Sequence, residues 1–438
     1  MINPIYSEPG QELPLNTSAD VVVCGGGPAG IAAALSAARA GARTRLFEWR
    51  GCLGGIWTAG LLGYLLDFDK PGIARELADH LTARGARQGV TPWEMIYDPE
   101  AMKLLLEDLL VEAGVEFQLH TRVAAAYREG RRLTTIVTES KSGRQAWQAP
   151  VFIDATGDGD LGHLAGNSWV LGDERSPIPR WQPLSLNALL LCRDASALAA
   201  FLHDSDGNTS HRQGKQALGA EFARAGFSTS YGSPTLWQIR DNLLLVMLNH
   251  EYDIKPFDAA AITQATVRAR RELHAATAAL RKLGGPWEGL QIAATAEQIG
   301  VRDGRRLVGY HTVTREDLVS GARHADAVVR STLPVDIHGA GKGTDSAHNG
   351  GVRARPFDIP LRALIAREVD GLLMAGRCIS GDFIAHGSYR VTGNAVAMGE
   401  AVGLVAAIAA ETRTLPHEIP WAEVAARRTS THPAYHAP

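Results

Sequence analysis

The first fifty residues switch between two hydrophobic patterns. An unbroken apolar run at residues 21–23 predicts a buried strand. An Ala-rich stretch with helical character follows, and residues 43–47 predict a second strand. Helical periodicity returns at 71–84 and 98–113, with Pro99 well placed near a helix start. Residues 53–64 are Gly-rich and apolar, expected as loop and short helix. Short strands are then predicted at 116–120, 123–128, 132–139 and 144–148, with turns at Glu129-Gly130 and Ser142-Gly143. This reads as one strand joining a parallel sheet and then an antiparallel meander. Residues 150–154 form another apolar strand.

Beyond residue 167 the pattern is mixed. Strands are predicted at 184–192, 243–248, 292–300 and 308–310, and helices at 258–283 (capped by Asp258) and 315–330. Residues 338–351 are polar and Gly-rich and are expected to form a mobile loop. A strand at 371–375 and a small-residue helix at 391–410 restore the character of the first segment. The expected architecture is therefore α/β: a Rossmann-like domain of parallel sheet plus antiparallel β-meander, split in sequence by an inserted α+β domain. The expected boundaries are 1–166 and 353–412 for the two parts of the first domain, 167–352 for the insertion and 413–438 for a C-terminal extension, with residues 1–18 as an irregular arm.

The turn after the first strand carries the chemistry. It reads Gly25-x-Gly27-x-x-Gly30 and leads into the Ala-rich helix, and the second strand ends at Glu48. Gly25 permits a tight turn, Gly27 leaves the backbone bare to a pyrophosphate, and Gly30 lets helix and sheet approach closely. Helix N-terminal amides favour an anion there. Glu48 is placed to accept hydrogen bonds from ribose hydroxyls and to repel a 2′-phosphate. The unit is that of a dinucleotide site. Arg50 and the glycine pair Gly54-Gly55 follow, a second place where backbone must pass close to something bulky.

Composition narrows the reading. The chain has 438 residues, 45% hydrophobic and 21% charged, ordinary values for a globular protein. A net charge of −3 gives no electrostatic case for nucleic acid or an anionic membrane. The four cysteines form no C-x-x-C pair, and no metal-ligand spacing is apparent, so no metal is expected. The N-terminus lacks the basic and apolar regions of a signal peptide. The apolar run at 395–410 is too short for a membrane span. A cytoplasmic protein without membrane insertion is expected.

Three stretches together resemble the FAD-dependent oxidoreductases whose FAD domain is of the glutathione-reductase type: DVVVCGGGPAGIAAALSAARAGARTRLFEWRGCLGG, VFIDATGDGDLGHLAG and GLLMAGRCISGDFIAHGSYRVTGNAVAMGEAVGLVAAIAA. The resemblance implies non-covalent FAD. It places Gly25, Gly27 and Gly30 at the pyrophosphate, Glu48 at the adenosine ribose, and Gly54 and Gly55 on the flavin side. It gives Val123 to adenine and Ala155, Thr156, Gly157 and Asp158 to the phosphates and ribityl chain. Gly376, Arg377, Gly393 and Asn394 would close the site. The segment His386 to Asn394 is similar to the HG-x-x-R-x-x-GN segment of fumarate reductases and succinate dehydrogenases, in which the Arg clamps a substrate carboxylate. The resemblance assigns that role to Arg390, the alternative being a pair with an acid or a flavin phosphate.

A proton must accompany hydride transfer, which calls for an acid or base near the ring. The histidine candidates are His386, His338, His311 and His348, with Tyr389 as a further option. Arg302 and Arg305 are candidates for anchoring an anionic substrate, the alternative being internal ion pairs. No second nucleotide unit is visible, so oxygen, a quinone or a diffusible carrier is expected to complete the cycle. The leading expectation is hydride transfer between flavin N5 and a small organic substrate, with a carboxylate-bearing one as the option that Arg390 suggests. The alternatives are a flavin monooxygenase and a non-catalytic or RNA-modifying flavoprotein.

Overall fold

The computed structural model describes residues 10–88, 93–177, 180–203, 211–339 and 347–431. Its centre is a five-stranded parallel sheet in the order Leu372–Met374, Val151–Asp154, Val21–Cys24, Thr44–Phe47, Glu116–Gln118. Every residue of Val21–Cys24 and Val151–Asp154 is buried. That explains why both read as unbroken apolar runs: helices or strands cover each face. Helix Pro28–Arg39 leaves the first strand and packs along helix Thr392–Thr412. The contact is built on small residues. A Cβ on Gly399 or Gly403 would lie 2.1 Å from the Ala29 carbonyl oxygen or 2.3 Å from that of Ala33.

The expected meander is a four-stranded sheet. Arg122–Glu129, Arg132–Ser140 and Gly143–Gln148 pair antiparallel, and Leu15–Asn16 adds a parallel edge. The supposed irregular arm thus contributes a strand. A separate antiparallel sheet, in the order Thr235–Arg240, Leu243–Met247, Ala188–Leu191, Gln291–Thr295, packs with helices His211–Arg224 and Ala259–Lys282. Its hydrophobic core draws on residues 184–299, joined by Leu61, Tyr64 and Ile96. Residues from Leu307 to Val352 instead join the core of the parallel-sheet domain.

Four local expectations change. The predicted helix at 315–330 is only Arg315–Ser320: Gly321 takes a left-handed conformation and ends it, and Ala327–Ser331 becomes a strand against Phe357–Pro360. The strand expected at 308–310 lies at Arg306–Leu307, paired with Trp169–Val170. A helix absent from the sequence reading, Phe383–Tyr389, is capped by the Asp382 side chain. The run at 395–410 belongs to the longer helix Thr392–Thr412, which is long and apolar enough to cross a membrane by length and composition; 94% of its most apolar window is buried inside the protein. Of the expected mobile loop, residues 340–346 lie outside the described residues. Its flanks, Ile337–His338 and Ala347–His348, pair as a short antiparallel ribbon.

Candidate active site

The carboxyl ends of the central strands open into a cavity of about 770 Å³, within the range of cofactor and small-molecule sites. Its walls join two regions. One is formed by Glu48, Trp49, Arg50 and residues 121–124, beside the sheet. The other is formed by Ser185, Asn187, Lys215, Tyr231, Met247, Arg302, Asp336, His338 and Arg390, between the two cores.

The glycine turn has the shape that a pyrophosphate requires. Gly25 has φ +102°, and a Cβ there would lie 2.4 Å from the Ala155 carbonyl oxygen. At Gly30 a Cβ would lie 1.8 Å from the Gly25 carbonyl oxygen, so helix and turn touch through bare backbone. At Gly27 a Cβ would meet no atom within 4 Å: it faces the cavity. Gly27 caps helix Pro28–Arg39 without a side-chain hydrogen bond, and no acid occupies the first turn. The first helical amides are thus left for an anion. The helix Thr392–Thr412 also begins at the cavity wall, through Val391 and Thr392, and it too lacks a side-chain cap and a first-turn acid.

Glu48 is buried and fixed by the backbone N–H groups of Gly26 (2.7 Å) and Arg50 (2.9 Å). Gly54, at φ +100°, donates its N–H to the Gly26 carbonyl and shapes the turn, while Gly55 reaches the wall. Val123, Ala155, Thr156, Gly157, Asp158, Gly376 and Arg377 all line the cavity. Arg377 pairs with Asp158 at 3.1 Å, and a Cβ on Gly157 would meet its guanidinium at 2.7 Å. Gly393 and Asn394 are not themselves on the wall, though both sit in the first turn of the uncapped helix Thr392–Thr412. A Cβ on Gly393 would lie 2.0 Å from the Asp67 carbonyl oxygen, and the Asn394 amide donates to Ser331. Cys52 is also off the wall, with its thiol beside Thr58.

The other region is cationic. The Arg390 guanidinium donates to the Asp336 carbonyl (2.9 Å), the Asp336 carboxylate (3.2 Å) and the Gln182 side-chain oxygen (3.3 Å). Arg302 donates to the Pro183 carbonyl and the Ser185 hydroxyl, and no described carboxylate forms a salt bridge with it. Burial, and then the neighbouring Arg390, push its pKa down to about 10. Lys215 also lines this end, its pKa lowered by burial. Asp336 lies among these cations. Burial raises its pKa, but the adjoining His338 imidazole, then Arg390 and Arg302, bring it well below the usual carboxylate range. Arg305 also lines the cavity but is paired there: it meets Asp160 at 2.8 Å and lies over the Trp169 and Phe257 rings.

His338 is on the wall, with its Nε2 3.6 Å from the Asp336 carboxylate and no partner for Nδ1. Burial and then Arg302 lower its pKa to about 4, so it is neutral at pH 7. The expectations for His386 and Tyr389 change. Helix Phe383–Tyr389 buries both side chains away from the cavity, and the Tyr389 hydroxyl donates to the Ile379 carbonyl. His311 and His348 are off the wall as well. Sequence reasoning missed Asp336, Lys215, Tyr231 and Gln182. Asp336 alone carried a signal: it lies two residues before His338, the spacing that puts both on one side of an extended chain.

The FAD dependent oxidoreductase family matches residues 20–427. The chain belongs to that family, and its cofactor is FAD. No curated protein matches it. Among solved structures it is similar to a geranylgeranyl bacteriochlorophyll reductase-like protein from Thermoplasma acidophilum (14% identity, TM-score 0.48, covering 95% of this chain and 84% of that one). It is also similar to a flavoprotein/dehydrogenase from Cytophaga hutchinsonii (14%, 0.46, 94% and 83%) and to p-nitrophenol 4-monooxygenase from Pseudomonas putida DLL-E4 (14%, 0.42, 68% and 70%). The Gly27 cradle, the two uncapped helix starts and the size of the cavity fit the cofactor.

Proposed function

We propose that this oxidoreductase moves a hydride between a small organic carboxylate and its FAD, with the substrate held at the Arg302–Arg390 end of the cavity. The observation that carries the reading is Arg302, a half-buried guanidinium that faces the cavity and forms no salt bridge with a described carboxylate. Arg302, Arg390 and Lys215 surround Asp336, and positive charge in excess of that carboxylate favours an anionic guest. Bound FAD supplies the two-electron chemistry. The chain supplies the rest. Arg302 and Arg390 clamp the carboxylate, for which the guanidinium fork is suited. Asp336 holds Arg390 in place. His338, neutral and hydrogen-bonding poorly, takes or returns the substrate proton at a ring nitrogen. Tyr231, packed edge-on to His338 with ring centroids 5.8 Å apart, limits the imidazole's rotation. Oxygen, a quinone or a diffusible carrier completes the cycle. Four free cysteines suit a cytoplasmic setting.

The test is anaerobic mixing of the FAD-loaded protein with hydroxy acids, amino acids and enoates, the last after chemical reduction of the flavin. The proposal expects a change in flavin absorbance with one class of carboxylate and none with its neutral amides. Equal response to the amides would overturn it. Fast NAD(P)H oxidation with an oxygenated product would favour a monooxygenase.

A further inference from the structure

A cluster outside the cavity has no part in that chemistry. His311, Asp317 and His324 each offer one donor atom, and the three atoms lie within 4.8 Å of one another. His311 Nε2 is 3.7 Å from Asp317 Oδ2, and the His311 and His324 rings meet at an angle of 67° with centroids 5.0 Å apart. The Nε2 atoms of both histidines are buried and have no hydrogen-bond partner. Two imidazole nitrogens facing one carboxylate, neither satisfied, form a costly arrangement for the protein alone. It is the ordinary donor set of a divalent transition metal.

We propose that His311, Asp317 and His324 form a zinc site. Zn–N and Zn–O bonds of about 2.0–2.1 Å put tetrahedral donors about 3.3 Å apart, so the cluster closes by small side-chain rotations. The ligands are held from outside. Asp317 sits in the first turn of helix Arg315–Ser320, and its Oδ2 accepts the Thr314 N–H at 2.8 Å and the Thr314 hydroxyl at 3.1 Å. The His311 backbone N–H donates to the Arg362 carbonyl, and that of His324 to the Asp358 carboxylate. Such outer contacts orient ligands and tune affinity. Two neutral imidazoles and one carboxylate leave a bound zinc with one net positive charge. The nearby Arg362 opposes it, but Asp326 neutralises that arginine at 3.0 Å. Water fills the fourth position, as three protein ligands leave it open.

The site spans the turn that stops the helix at Gly321 and leads to strand Ala327–Ser331. Zinc would pin this turn to the segment carrying His311. The spacing His311-x5-Asp317-x6-His324 matches no common ligand pattern, which is why the sequence showed no metal.

The test is calorimetric titration of the chelator-treated, FAD-loaded protein with zinc chloride, together with cobalt(II) as an optical probe. The proposal expects one saturable site per chain and cobalt d–d bands of tetrahedral intensity. His324→Ala and His311→Ala should each abolish both signals while the flavin spectrum is retained, and Thr314→Val should weaken binding by about tenfold. Absence of saturable binding to the wild type, or binding unchanged in the two histidine variants, would overturn the assignment. The retained flavin spectrum separates loss of the site from loss of the fold.

Discussion

Gly27→Val separates the cofactor cradle from the fold. The backbone at Gly27 is extended, φ −77° and ψ −174°, and the next residue is Pro28. A β-branched residue before proline adopts that conformation without strain. The new Cβ would meet no protein atom within 4 Å. The FAD-free variant should therefore fold as the wild type does. The valine methyls, however, would stand where the pyrophosphate approaches the helix start. Losing two amide hydrogen bonds to a charged group, at about 1.5–3 kcal/mol each, removes about 3–6 kcal/mol. That weakens FAD binding by about 100- to 20,000-fold. Gly30→Ala is the contrast: its Cβ would lie 1.8 Å from the Gly25 carbonyl oxygen, so the FAD-free protein itself should be destabilised. The assay is FAD titration of the FAD-free proteins, beside urea unfolding of the same samples. A Gly27→Val protein with wild-type FAD affinity would refute the cradle; one that unfolds like Gly30→Ala would refute the open space at Gly27.

Other outcomes follow from the same geometry. Arg390→Lys keeps a charge but loses the planar guanidinium, of which one terminal nitrogen alone holds Asp336 and Gln182, so turnover should fall far more than FAD content, whereas equal loss of both would make Arg390 a cofactor residue. Gly403→Ala drives a Cβ to 2.3 Å from the Ala33 carbonyl oxygen and should cost about 1–3 kcal/mol in urea unfolding, and an unchanged midpoint would contradict the close helix contact. His338 has a folded pKa near 4 against 6.5 when free. The neutral form is favoured in the fold, so its contribution is complete above pH 6.5 and fades as pH falls through 4. The full shift is worth about 3 kcal/mol. His338→Asn should therefore lose stability less steeply than wild type between pH 6.5 and 4, and parallel slopes would refute a neutral buried imidazole.

The cofactor half of the site was legible because its determinants are local. Strand, glycine turn, helix and Glu48 lie within thirty residues; Gly30 answers to the Gly25 carbonyl and Gly25 to the end of the neighbouring strand, while Gly27 is left bare toward the cavity. The catalytic half depends on pairings across the chain. Whether Arg390 faces the cavity depends on Asp336 and Gln182, 54 and 208 residues distant. His386 and Tyr389 read as site residues by proximity to Arg390, but one short helix turns their side chains inward. The helix expected at 315–330 was broken for the same reason: Ala327–Ser331 finds a strand partner at Phe357–Pro360, and that long-range pairing outweighs local helix preference.

The most direct test is a crystal structure of the protein loaded with FAD and a carboxylate that competes with substrate. The account predicts the pyrophosphate over the Gly27 amide face and the inhibitor's carboxylate on Arg302 and Arg390. A carboxylate bound elsewhere while those two arginines contact only protein or cofactor would contradict it.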